Sequence, residues 1–168
     1  PLIGPLRRLV GAERSDAADA QLGFALCFIA GAVNAGGFLA VGQYTSHMSG
    51  IVSAMADNIA LGAAGFAAAG LGAFISFVLG AACSAILINW GRRHAAYGQY
   101  AFPLLLEAAL LLALGLVGSM GQYLPFLVVV AVPLLCFIMG LQNAIITKVS
   151  NARIRTTHVT GIATDIGI

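Results

Sequence analysis

The chain has 168 residues, of which 60% are hydrophobic and 8% charged, with a net charge of +2. Soluble domains carry about 25% charged residues, so a water-soluble globule is excluded and lipid is the expected solvent. The small net charge gives no basis for a nucleic-acid partner.

Residues 1–20 are polar and mixed in charge (Arg7, Arg8, Glu13, Arg14, Asp16, Asp19) and suit a tail or an interfacial helix. Beyond them, no Asp, Glu, Lys or Arg occurs between Asp19 and Asp57, between Asp57 and Arg92, or between Glu107 and Lys148. A spanning helix needs about 20 apolar residues, so each window holds one or two. The expected spans are 21–41, 49–66, 71–90, 101–120 and 125–147, with a sixth opening near Thr157. A signal peptide is a poor alternative, because the apolar runs recur along the whole chain. The chain begins with Pro1 and ends at Ile168 soon after an apparent helix start, so the sixth span is expected to be cut short.

The runs are apolar throughout and do not alternate as barrel strands do. The expected fold is therefore all-α, a polytopic transmembrane helical bundle forming a single domain over 1–168. Trp90, Tyr97 and Tyr100 fit an aromatic belt around the loop at 91–100. Stretches such as "GAAGFAAAGLGAF" allow close helix approach in lipid. Cys27, Cys83 and Cys136 lie in apolar runs without metal-ligand spacing and read as packing residues.

If every span crosses fully, the loops at 91–100 and 148–156 share a side. They hold Arg92, Arg93, Lys148, Arg153 and Arg155, which the positive-inside rule places in the cytoplasm. The N-terminal tail then lies opposite. A half-crossing segment near residue 47 would reverse that inference for the tail.

Two blocks recur. "FIAGAVNA" (28–35) matches "FIMGLQNA" (137–144), and "TSHMSGI" (45–51) matches "TTHVTGI" (156–162). The copies begin on the first and fifth expected spans, so a parallel internal repeat is expected. Half one covers about 21–90, a linker span about 101–121, and half two starts at about 125–168.

Each T-[ST]-H-x-[ST]-G closes a loop and opens a helix, with Thr45 or Ser46, and Thr156 or Thr157, as N-caps. A helix start offers unpaired N–H groups and positive potential, which suits an anion. The candidate solute-binding residues are His47, His158, Ser49, Thr157 and Thr160, with Asn34 and Asn143 lining the route or bonding across helices as packing glue. His158, Gly161 and Asp165 fall near one helical face. Asp165 and Glu107 are candidates for proton coupling, although Glu107 also has the options of snorkelling or pairing with a loop Arg. No enzyme signature is present: HExxH, G-x-S-x-G and a phosphate loop are all missing. No metal and no cofactor is expected, since the two motif histidines lack partners at ligand spacing. The expected partners are membrane lipid and a small-molecule solute, and a homo-oligomer remains open. The expected function is a small-solute transporter or channel. The alternative is a receptor, scaffold or partner subunit in which the motifs only cap and pack helices.

"GLQNAIITKVSNARIRTTHVTGIATDIG" and "AGAVNAGGFLAVGQYTSHMSG" resemble the two signatures of the YoaK family of bacterial inner-membrane proteins, a domain of unknown function. The resemblance covers essentially the whole chain. It implies a multi-pass protein of the bacterial inner membrane and no particular reaction. Asp is common in the family where this chain has Asn34, which puts proton coupling through this position in doubt.

Overall fold

The computed structural model describes residues 15–42, 44–94, 98–118 and 127–150. Among them are five helices and no strand: α1 (Asp16–Val41), α2 (Met48–Ala60), α3 (Ala64–His94), α4 (Ala101–Gly118) and α5 (Leu127–Val149). Four of these, α1, α3, α4 and α5, are long and apolar enough to cross a membrane. The protein is thus an all-α, multi-pass membrane-type bundle. The expected sixth span lies outside the described residues.

Local sequence accounts for the helix ends. Ser15 caps α1, its hydroxyl accepting from the Ala18 N–H at 3.2 Å, with Asp16 and Asp19 in the first turn where the helix dipole favours acids. Gly42 ends α1 in the left-handed region (φ 72°), its N–H donating to the Phe38 carbonyl. Gly62 (φ 71°) ends α2 in the same way: its N–H bonds to the Ile59 carbonyl and that of Ala63 to the Asn58 carbonyl. This six-to-one and five-to-two pairing is the Schellman stop, which favours glycine because a Cβ disfavours positive φ.

That stop corrects the expected second span. The expected span 49–66, which carries Asp57, is not one crossing helix. It is the 13-residue α2, a turn at Gly62, and the start of α3. Thirteen residues rise about 20 Å, short of the roughly 30 Å hydrocarbon core.

Side-chain pairings set the helix directions. Gly80 lies against Phe137 and Leu141, Gly140 against Phe77, and Lys148 Nζ reaches Asn89 Oδ1 at 3.5 Å, so α3 and α5 run parallel. The Gln142 side chain donates to the Leu26 carbonyl at 3.1 Å, and Ala30 packs on Ile138 and Met139, so α1 runs antiparallel to α5. Gly70 on α3 meets Met55 and Ile51 of α2, a hairpin around residue 62. Hence α1 and α2 point the same way, and the chain breaks between them without reversing.

Two expectations change as a result. The two F-I-x-G-x-x-N-A copies lie on antiparallel helices, so they are not a parallel repeat. The N-terminal end of α1 also shares a face with the C-terminal ends of α3 and α5, instead of lying opposite. Leu22, Ile88, Tyr100 and Val149 form one buried cluster at that end. Arg92, Arg93 and Lys148 lie there, and the other five basic residues fall in the sequence just before α1 or just after α5.

The pair with the most extensive contact is α3 and α5. A Cβ on Gly80 would run into the Phe137 carbonyl, and one on Gly140 into the Phe77 carbonyl. Outward-facing Phe24, Phe28 and Leu39 are the lipid-facing counterpart of this interior. Backbone atoms cannot rotate away as side chains do. Gly80→Ala or Gly140→Ala should therefore cost about 1–3 kcal/mol or prevent accumulation. Gly115→Ala, where nothing lies within 4 Å, should stay within about 0.5 kcal/mol of the parent. Thermal melting of the three variants in detergent checks this.

Candidate functional site

The break between α1 and α2 is held by one side chain. Asn34 Oδ1 accepts from the Thr45 N–H at 3.1 Å and the Ser46 N–H at 3.2 Å. Asn34 lies seven residues before the end of α1, about 10 Å along the axis. The chain therefore leaves α1, folds back to the level of Asn34, and starts α2 within the bundle. Gly37 makes room for this return. A Cβ there would come within 3.3 Å of Leu135 Cδ1 and 3.7 Å of Thr45 Oγ1. Phe38 and Tyr44 stack across the bend, with ring centroids 4.6 Å apart.

His47 occupies the N-cap position of α2, with φ −94° and ψ 72°, and no side chain caps the helix. Thr45 and Ser46 are thus not the N-caps that the sequence suggests. They are the residues whose backbone Asn34 holds, one and two positions upstream. Thr45 is fully buried, and its hydroxyl has no partner among the described residues.

The start of α2 opens on a cavity of about 710 Å³ between α2, α3 and α5. Tyr44, His47 and Asn58 are its polar side chains, and most of the wall is apolar, including Met55, Phe66, Val129 and Pro133. Pro133 has no N–H, so the Val129 carbonyl cannot receive its usual helical bond. The cavity therefore joins a histidine, an uncapped helix start and a helix weakened at a proline.

A family model described as "Protein of unknown function (DUF1275)" matches residues 22–168. The chain belongs to the DUF1275 family. The YoaK proteins that its signatures resemble are members of this family. No curated protein and no solved structure matches the chain.

Within this DUF1275 member, the structure separates the sequence candidates. Asn34 and His47 meet at the break, and Ser49 is exposed on the first turn of α2 outside the cavity lining. Asn143 is half-buried on α5, where its carbonyl accepts from the Thr147 hydroxyl at 2.7 Å. Thr157, His158, Thr160 and Asp165 lie outside the described residues. Glu107 belongs to a second level of the bundle. It is 3% exposed, so it does not snorkel, and no Arg or Lys pairs with it among the described residues.

Two contributors escaped the sequence reading. Gln142 is fully buried beside Glu107 and ties α5 to the Leu26 carbonyl of α1. The first copy of the repeat has Val33 at the matching position, and that polar-for-apolar exchange was the available signal. Ser84, also fully buried with an unpartnered hydroxyl, carried none.

The Asn34 contacts would be met equally by the Asp that the resemblance implies at this position. The bend needs an acceptor for two N–H groups, and either an amide oxygen or a carboxylate supplies one. Asn34→Asp should keep the fold within about 1 kcal/mol of the parent, aided by the positive end of α2. Asn34→Leu leaves two N–H groups without an acceptor and should cost about 1–3 kcal/mol. Melting of both variants decides whether acceptance or size is what matters.

Proposed function

We propose that the protein is a transporter or channel for a small solute in the bacterial inner membrane, with the helix break at Asn34–His47 forming part of the solute site. The observation that carries this reading is the uncapped start of α2, held within the bundle by Asn34 and opening on the cavity. Irregular backbone at membrane depth is tolerated where it is buried in protein or lines a cavity. Broken helices of this kind form the substrate sites of many transporters.

The antiparallel course of α1 and α5 supports a second element of the reading. The two F-I-x-G-x-x-N-A…T-[ST]-H-x-[ST]-G copies act as inverted repeats, related by an axis in the membrane plane. His47 serves the site from one face, and His158, with Thr157 and Thr160, serves it from the other. The basic end of the bundle faces the cytoplasm. The preferred solute is small, with an acidic or polar end at the α2 start and an apolar body against Met55, Phe66 and Val129. The reading assigns no catalytic residue, metal or cofactor.

The mostly apolar wall favours one competing reading, a receptor, scaffold or partner subunit whose groove receives another helix. A ligand-dependent melting screen of small anions and amphipathic acids, followed by flux measurements in vesicles, separates the two. A ligand at a hundred times its dissociation constant should stabilise the protein by about 2.7 kcal/mol, or raise its midpoint by about 5–10 °C. The shift and the flux should both fall in His47→Ala and survive in Asn34→Asp. A screen without a ligand-specific shift, together with vesicles no leakier than protein-free ones, would favour the helix-receiving groove.

A further inference from the structure

The second buried level of the bundle is not used by the solute site. It lies two turns along α5 from the α1–α2 break, at Gln142 instead of Val132–Leu135. Glu107 projects there from α4, six residues beyond its start at Ala101. Both carboxyl oxygens are buried and have no hydrogen-bond partner among the described residues. The side chain beside them is Gln142. Its amide nitrogen donates to the Leu26 carbonyl, which fixes its orientation and leaves its oxygen buried and unpartnered. Both carboxyl oxygens thus lie in the interior beside one side-chain amide, with no cation next to them among the described residues.

Among the described residues no neighbouring charge relieves this. On α5 the titratable groups are Cys136 and Lys148, on α3 they are Cys83, Arg92, Arg93 and His94, and on α1 they are Asp16, Asp19 and Cys27. The basic residues sit at the helix ends, where Lys148 reaches Asn89 and Arg92 donates to Gln99 at 3.3 Å. An ionised carboxylate inside a membrane bundle without a counter-charge is strongly unfavourable.

We infer that Glu107 is a proton-binding site, its buried carboxyl group carrying a proton beside the Gln142 amide. A proton removes the charge that the interior does not solvate and turns the carboxyl group into a donor as well as an acceptor. This site is independent of the solute reading, because none of its groups line the cavity at the break.

The test is covalent labelling of the full-length protein in neutral-lipid nanodiscs with an apolar carbodiimide, which requires a protonated carboxyl. Adducts are mapped by mass spectrometry across pH, with and without sodium. The expected result is an adduct on Glu107 at neutral pH that disappears in Glu107→Gln. It should fall about tenfold per pH unit once the group ionises and be indifferent to sodium. The Gln142→Leu variant should still label, since it leaves the carboxyl buried and unpaired. An unlabelled Glu107 at every pH would overturn the inference, as would labelling suppressed by sodium at constant pH, which would mean that a metal cation holds the site.

Discussion

The close backbone crossing of α3 and α5, with the Phe77 carbonyl against Gly140 and the Phe137 carbonyl against Gly80, fixes the depth of every other element. In lipid the apolar side chains gain little by leaving their solvent, so close packing between helices has to supply the association. The crossing sets α3 and α5 parallel and in register. Through Gln142 it positions α1, and through the short turn at Gly62 it positions α2. Side chains elsewhere can adjust, but this contact involves main chain on both partners.

A half-crossing follows once α1 and α3 are antiparallel and α2 pairs back on α3. The chain between α1 and α2 cannot reverse, so it must bend inside the bundle, where its N–H groups need acceptors. Asn34 provides one for two of them. The same bend produces an uncapped helix start beside His47 and leaves a cavity against the proline-bearing α5. Structure and proposed function thus meet at one hydrogen-bonding requirement.

Much of this was legible in the residues. The first, fourth and fifth expected spans agree with α1, α4 and α5 to within a few residues at each end, because strongly apolar windows of membrane length have one physical solution. The T-S-H of residues 45–47 correctly marked a loop ending in a helix, and its second copy lies outside the described residues. Hydropathy failed at 49–66, where α2, its turn and the start of α3 are mostly apolar despite Asp57, and Gly62 signals the stop. Counting one crossing too many made the helices of the two F-I-x-G-x-x-N-A blocks parallel, whereas α1 and α5 are antiparallel. The F-x-x-G pattern was equally silent about partners: Gly140 packs against backbone, whereas a Cβ on Gly31 in the other copy would meet nothing within 4 Å. Asn34 and Glu107 were both visible as polar residues in apolar runs. Their different roles, acceptor for a bend and buried acid, depend on neighbours 11 and 35 residues away in the chain, at Thr45 and Gln142.

The central claim is that α2 is a half-crossing, which places the start of α1 on the same face as the end of α3. Side-specific labelling tests it most directly. Single cysteines at positions 15, 62 and 93, in a chain with Cys27, Cys83 and Cys136 replaced, are exposed to a membrane-impermeant maleimide from one side of oriented vesicles. The account predicts that positions 15 and 93 react from the same side and position 62 from the other. Reaction of 15 and 93 from opposite sides would mean that α2 completes a crossing, contradicting the break at Asn34 and the inverted repeat together.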